Sequence, residues 1–249
     1  MFDEELARHT KRKKRILTGI LAIVGILAIA VTVFFTAYIT DCQIVGNQYS
    51  KEQEIEDKLF STPMEQRFFY QLFRAVTHTQ KAIDGLAKYQ MEFSPDLSVK
   101  VTVTENSIVG AVRWEHHLYY FDRYGYVLAM DADVSGMVPV VDGSNFQDVS
   151  LYMHLDSENS SLAEDILQLT QLLTDNGIAA DAVSYDEQMQ AVVTLGEVKV
   201  SLGTRDNMTD KIAELCAIIE SNGLSGLKGT LHLENCGDGS TSSYIFDRE

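Results

Sequence analysis

The residues able to do chemistry are few and scattered. His116-His117 invites a metal reading, but neighbouring residues on a strand point to opposite faces, so the two rings would not readily share one ion. Two half-exposed histidines flanking a hairpin is the simpler reading. His154-Leu-Asp156 would put an imidazole and a carboxylate on one strand face, yet no third partner completes a catalytic set. Asp131, Asp133 and Asp142 lie in loop-like sequence without an EF-hand pattern, and read as a solvated acidic face. Gly223-Leu-Ser225-Gly226 lacks the spacing of a nucleophile elbow, and no phosphate loop or dinucleotide fingerprint is present. Tyr119, Tyr120, Phe121, Tyr124 and Tyr126 read as hairpin packing rather than a ligand platform. Cys42, Cys216 and Cys236 form no C-x-x-C; a Cys216–Cys236 bridge is one option, core or incidental cysteines the other. No catalytic residue, cofactor site or metal site is assigned, and no small-molecule substrate is expected.

The elements around these residues carry more information. Ile16 to Ile39 is uncharged, broken only by Thr18, Thr32, Thr36, Gly19 and Gly25. As a helix it would extend about 36 Å, enough to cross a hydrocarbon core with some tilt. Residues 1–15 carry Arg8, Lys11, Arg12, Lys13, Lys14 and Arg15 against Asp3, Glu4 and Glu5, a balance of +3; removing that from the whole-chain −16 leaves −19 for the remainder. Lys11, Arg12, Lys13, Lys14 and Arg15 abut the apolar run, so the positive-inside rule predicts a cytoplasmic tail over 1–15, a transmembrane helix over 16–39 and everything beyond outside the membrane. Ala28-Ile29-Ala30 offers a signal-peptidase site, but cleavage there would expose VTVFFTAYI, and the run is about twice the usual signal core. An uncleaved anchor in contact with cytoplasmic-membrane lipid is the expectation. The acidic remainder repels phosphate backbones, which excludes nucleic acid as a natural partner.

Beyond the anchor, Tyr38–Val45 reads as extended and ends at Gly46-Asn47. Ser50-Lys-Glu-Gln53 has the form of a capping box opening a helix with Ile55 and Leu59 on one face. Thr62, Pro63 and Glu65 signal a second helix start, followed by Phe68, Phe69, Leu72, Phe73 and Val76, with a further helical pattern over Ile83–Tyr89. The period then drops to two: Met91 and Phe93, a Ser94-Pro95-Asp96 turn, and Val99, Val101 and Val103. Residues 40–105 thus read as a small α+β unit. From 106 to 249 strands dominate: Val109–Trp114, Leu118–Phe121, Tyr126–Met130, Met137–Val141, Ile178–Tyr185, Met189–Leu195 and Val198–Leu202, the last two joined at Gly196-Glu197. Two helices interrupt them. One opens at a Ser161-Leu-Ala-Glu164 box and stops at Asn176-Gly177; the other runs through Ile212, Leu215, Cys216 and Ile219 to Asn222-Gly223. Leu231–Leu233 and Tyr244-Ile245-Phe246 close the pattern. The fold class is α+β.

The ordered set of motifs resembles the FtsQ/DivIB family of bacterial cell-division proteins. Ile44-Val-Gly46-Asn47 with Ser50 and Ile55 is similar to the opening of that family's POTRA domain, and Pro95-Asp-Leu97-Ser-Val99-Lys-Val101-Thr-Val103-Thr-Glu105 to its last POTRA strand. Tyr119-Tyr120-Phe121-Asp122-Arg-Tyr-Gly125, Val138-Pro139-Val-Val-Asp-Gly143, Leu202-Gly203 with Lys211-Ile212 and Leu215, and Gly229-Thr-Leu231-His-Leu233 follow in the family's order over residues 11–249. Asn106-Ser107-Ile108 departs from it where the family usually has Arg and then Pro. The resemblance implies a POTRA-like domain over 40–105, a β domain over 106–249, no enzymatic activity, a location at the division septum, and partners of the FtsL and FtsB/DivIC type. An edge strand that accepts a partner strand would supply the binding, with Leu231, Leu233, Tyr244, Ile245 and Phe246 as its candidate residues; an unused, blunted edge is the alternative. A POTRA-type export or chaperone module and, further off, a tethered cell-wall hydrolase are the competing readings of function.

Overall fold

Val99, Val101 and Val103 alternate with Lys100, Thr102 and Thr104, and the computed structural model buries the three valines on one face of a strand. It describes residues 2–134, 138–142, 146–156, 160–186, 188–221, 223–224, 226–236 and 244–248, with side chains from 17 onward except at 160. The elements are α1 (Phe2–Thr36), β1 (Cys42–Val45), α2 (Glu52–Leu59), α3 (Phe68–Val76), β2 (Leu86–Phe93), β3 (Val99–Glu105), β4 (Ile108–Trp114), β5 (His117–Asp122), β6 (Val127–Met130), β7 (Val140–Asp142), α4 (Ser160–Asp175), β8 (Ala182–Tyr185), β9 (Ala191–Leu195), β10 (Val198–Gly203), α5 (Met208–Glu220), β11 (Gly229–His232) and β12 (Ile245–Arg248). The chain is α+β, with five helices among the described residues, a large mixed sheet and one apolar N-terminal helix.

Two compact units divide it. The first comprises Met1–Asn47, Lys51–Ile83 and Lys88–Thr104. Its sheet runs β1-β3-β2, with β1 and β3 parallel in the register Ile44↔Val101. Ile55 and Leu59 of α2 and Phe68 of α3 are buried, and the Phe68 ring meets Phe93 edge-on at 5.4 Å. Within α1, Leu17–Thr36 has a mean hydropathy of 2.7 with none of it buried. By length and composition that helix suits a membrane span or a signal sequence alike.

The second unit comprises Gln48–Ser50, Asp84–Ala87 and Glu105–Glu249. Its sheet orders the strands β12-β11-β10-β9-β8-β7-β4-β5-β6, mixing parallel and antiparallel pairs. Leu162, Ile166, Leu169 and Leu173 of α4 and Ile212, Leu215 and Ile218 of α5 share one core with Val112, Val141, Val183, Val193, Val200 and Leu231. Ile108, Tyr126 and Leu128 form a smaller cluster of their own, joined by Tyr49 and Tyr120.

Several sequence expectations shift. The apolar run stays uncharged to Ile39, but its helix stops at Thr36 because Ile39 and Ala37 bond instead to the backbone of Gln66 and Phe68. Ile83–Tyr89 is not helical: Ile83, Leu86 and Tyr89 mimic a helical face, yet Tyr89, Met91 and Phe93 keep the period of two that makes β2. At Ser50 the expected box gives way to Lys51 as the cap of α2, with no side-chain cap bond, while the Ser50 amide donates to Glu105 Oε1 at 2.7 Å. Thr62 and Glu65 do exchange reciprocal bonds, at 3.1 and 3.4 Å, but they close a turn, and α3 opens only at Phe68. Ser161 lies inside α4, which has begun by Ser160. The strand signal at Ile178 is realised only from Ala182, and that at Met137 only from Val140, Met137 lying outside the described residues.

Candidate functional site

β12 is an end strand of the nine-stranded sheet. It pairs antiparallel with β11 in the register Leu231↔Phe246 and His232↔Ile245. At the other end the start of β6 is bonded to a loop: Val127 donates to Met153 O at 2.9 Å, and Tyr152 donates to Val127 O at 3.0 Å. Among the described residues no strand lies beyond β12, so one side of its backbone is free to pair.

Residue alternation sorts the side chains of this edge. Phe246 faces the core beside Leu231 and is half-buried, whereas Ile245 is 62% and Tyr244 50% exposed. Leu231 and Leu233 are fully buried; Leu231 lies on β11, which is paired on both sides by β10 and β12, and Leu233 follows the end of β11 with its amide donating to Ser201 O at 2.9 Å, so the expectation that they belong to the accessible edge is corrected. Beside the edge, Ile218, Leu224, Leu227, Tyr244 and Phe246 line an open groove of about 610 Å³ next to the end of α5. Gly229 sets how closely the strand lies. Any Cβ there would run into the Asp247 carbonyl and come within 3.0 Å of Arg248 Cα, and its φ of +142° suits only glycine.

On the opposite face His232 clasps the edge. Its Nδ1 lies 3.0 Å from Glu234 Oε1, and its Nε2 lies 3.3 Å from Asp247 Oδ2 on β12. The Glu234 hydrogen bond and the Glu234 and Asp247 charges push the imidazole above its ordinary value, against the downward pull of burial. His232, Asp247, Leu224 and Leu227 were not singled out in the sequence. The signal for the first was a His-x-Glu spacing that shares one side of an extended chain; the leucines had none, because a loop brings them to the groove.

The other candidates do not converge. His117 Nδ1 pairs with Asp131 Oδ2 across the hairpin, and Asp131 also accepts from the Leu118 amide at 2.9 Å. Exposed His116 lies in the turn at φ +72°. His154 meets the Tyr124 carbonyl at 3.2 Å and Asp84 at 3.9 Å, not Asp156, which bridges to Asp148. Cys42, Cys216 and Cys236 are free thiols, so the Cys216–Cys236 option is not realised. Among the described residues no three His, Cys, Asp or Glu side chains are grouped to hold a metal ion. Asn222 and Ser225 lie outside the described residues, and Lys11–Arg15 fall on α1 in the stretch described by backbone alone.

Asp122, by contrast, has a well-defined part. Fully buried, it accepts from Asn106 Nδ2 at 2.6 Å and from the Tyr124 and Tyr126 amides at 2.9 and 3.0 Å, while Gly125 at φ +76° closes the turn. The Asp-x-x-Gly signature is a structural turn lock between β5 and β6.

No protein-family model matches this chain, and no curated protein matches it. Fold and site together define it as an α+β chain with one apolar N-terminal helix and an open sheet edge beside an apolar groove.

Proposed function

We propose that this chain is a membrane-anchored, non-enzymatic scaffold of the bacterial division machinery. It offers β12 to an extended segment of a bitopic partner of the FtsL or FtsB/DivIC type. In this reading α1 crosses the cytoplasmic membrane with Lys11–Arg15 inside, and the chain from about residue 40 onward lies outside it at the septum. The observation that carries the reading is the open β12 edge, with exposed Tyr244 at the groove lined by Leu224 and Leu227 and exposed Ile245 on the opposite face. An added strand would gain main-chain hydrogen bonds along β12, and alternate side chains would enter the groove for specificity. The strand–helix–helix–strand–strand order of Cys42–Glu105 supports the POTRA-like part of the proposal.

The sites for testing follow from burial. Phe246 packs against the core, so a charge there would perturb folding as well as binding. Ile245→Glu and Tyr244→Glu alter exposed positions instead. Both should lower capture of the bitopic partners by the full-length protein without changing its melting temperature; unchanged capture by both variants refutes the β12 interface. Fluorescent fusions separate division from export: a midcell band is the expected result, and a uniform envelope signal favours the export reading.

A further inference from the structure

From Gln66 to Ile83 the chain has no Asp or Glu but holds Arg67, Arg74 and Lys81, in a protein of net charge −16. The same stretch contains Phe68, Phe69, Tyr70 and Phe73. α3 sorts these residues onto separate faces. Phe68 and Gln71 are buried. Glu65, only 7% exposed, receives Arg74 at 3.3 Å and Lys81 at 2.8 Å, and Gln71 Nε2 donates to the Glu65 carbonyl at 2.8 Å. These bonds fix the rotation of α3. They leave Phe69, Leu72, Phe73 and Val76 as one stripe at helical spacing, with Phe73 56% and Val76 70% exposed.

The position of α3 says what covers that stripe. Phe68 N–H donates to Ala37 O and Ile39 N–H to Gln66 O, both at 3.0 Å. The Arg67 guanidinium lies 3.9 Å over the Tyr38 ring. The start of α3 is therefore stitched to the chain immediately after Thr36, where the apolar window of α1 ends. At 1.5 Å per residue, Val76 lies only about 12 Å further along α3. The stripe thus begins close to the point where the exposed apolar surface of α1 ends.

We propose that α3 is a membrane-surface helix: Phe69, Leu72, Phe73 and Val76 seat in the interfacial layer of the bilayer that α1 crosses, among anionic phospholipids. Aromatic side chains favour that layer, and an apolar helix face sinks about 5–10 Å into it. Counting Glu65, which Arg74 and Lys81 share, residues 65–83 keep a net charge of +2 in an otherwise acidic chain, a sign that suits anionic headgroups. The proposal rests on α1 being an uncleaved span and is independent of the division role.

The test uses the full chain in nanodiscs of phosphatidylglycerol and phosphatidylethanolamine, with Trp114→Phe removing the single tryptophan and Phe73→Trp or Val76→Trp supplying a probe. Blue-shifted emission is expected, with quenching several-fold stronger by a nitroxide near the lipid glycerol than by aqueous acrylamide. Free quenching by acrylamide alone overturns the proposal. So does shielding that requires two copies per disc, which would make the occupant protein. Failure of the chain to enter discs also overturns it, by removing the span on which it rests, while leaving the β12 interface untouched.

Discussion

His232 and Asp122 show how single residues hold this fold. Because the folded-state value of His232 is raised, its protonated form stabilises the sheet edge. That contribution is complete below the unfolded value near pH 6.5 and is lost as pH rises through the higher folded value. The protection of β12 amides, taken relative to their base-catalysed intrinsic exchange, should therefore fall on passing from mildly acid to mildly alkaline conditions, and His232→Gln should remove that fall. Equal pH profiles for the two proteins would show that the clasp carries no load. Glu65 behaves in the opposite sense. Burial would raise its carboxyl, but bonds from Lys81 and Ser61 hold it below the ordinary glutamate range, so its contribution is present above that range and lost on acidification through the lowered value. Asp122→Ala leaves buried amides of the β5–β6 turn without an acceptor and should cost about 2 kcal/mol in urea unfolding. A loss within error of zero would mean water replaces the carboxylate.

At the scale of elements, the strand pairing of β11 and β12 depends on one glycine. Gly229→Val should displace β12, abolishing amide protection over residues 245–248 while α4 and α5 keep theirs; retained protection at β12 would contradict the close-approach account. Elements whose period and punctuation agree were legible from sequence. β3 alternates without interruption; the Gly196-Glu197 hairpin has its glycine at φ +59°; and α4 ends where Gly177 at φ +66° lets Ile178 N–H reach Leu173 O at 2.9 Å. The errors occur where two signals compete. Ile83–Tyr89 carries a helical spacing by accident of Ile83 and Leu86, and the ladder of β2 prevails. Thr62 and Glu65 bond as a capping box should, but the chain is held there by Ala37 and Ile39, so the helix waits for Phe68.

For the whole molecule, the legible part was the architecture of an apolar helix followed by α+β structure; the site was only half legible. Tyr244 and Ile245 are exposed on the open edge, but Leu231 and Leu233 looked equally suitable because a strand's place within a sheet is set by non-local pairing that no local pattern encodes. The groove leucines were hidden for the same reason. The proposed membrane span makes its own prediction: Leu27→Arg at the middle of the apolar window Leu17–Thr36 should cost about 3 kcal/mol in apparent insertion free energy and shift the protein from the membrane pellet toward the soluble fraction. Unaltered membrane retention would argue that α1 is not what holds the chain there.

The proposed partner strand can be sought directly by placing a photo-crosslinking amino acid at Ile245 of the full-length protein in dividing cells and sequencing the adducts. The account predicts adducts to an extended segment of a bitopic division protein, lost when Gly229→Val displaces β12. Adducts confined to lipid or to this chain's own residues, with the fold intact, would contradict it.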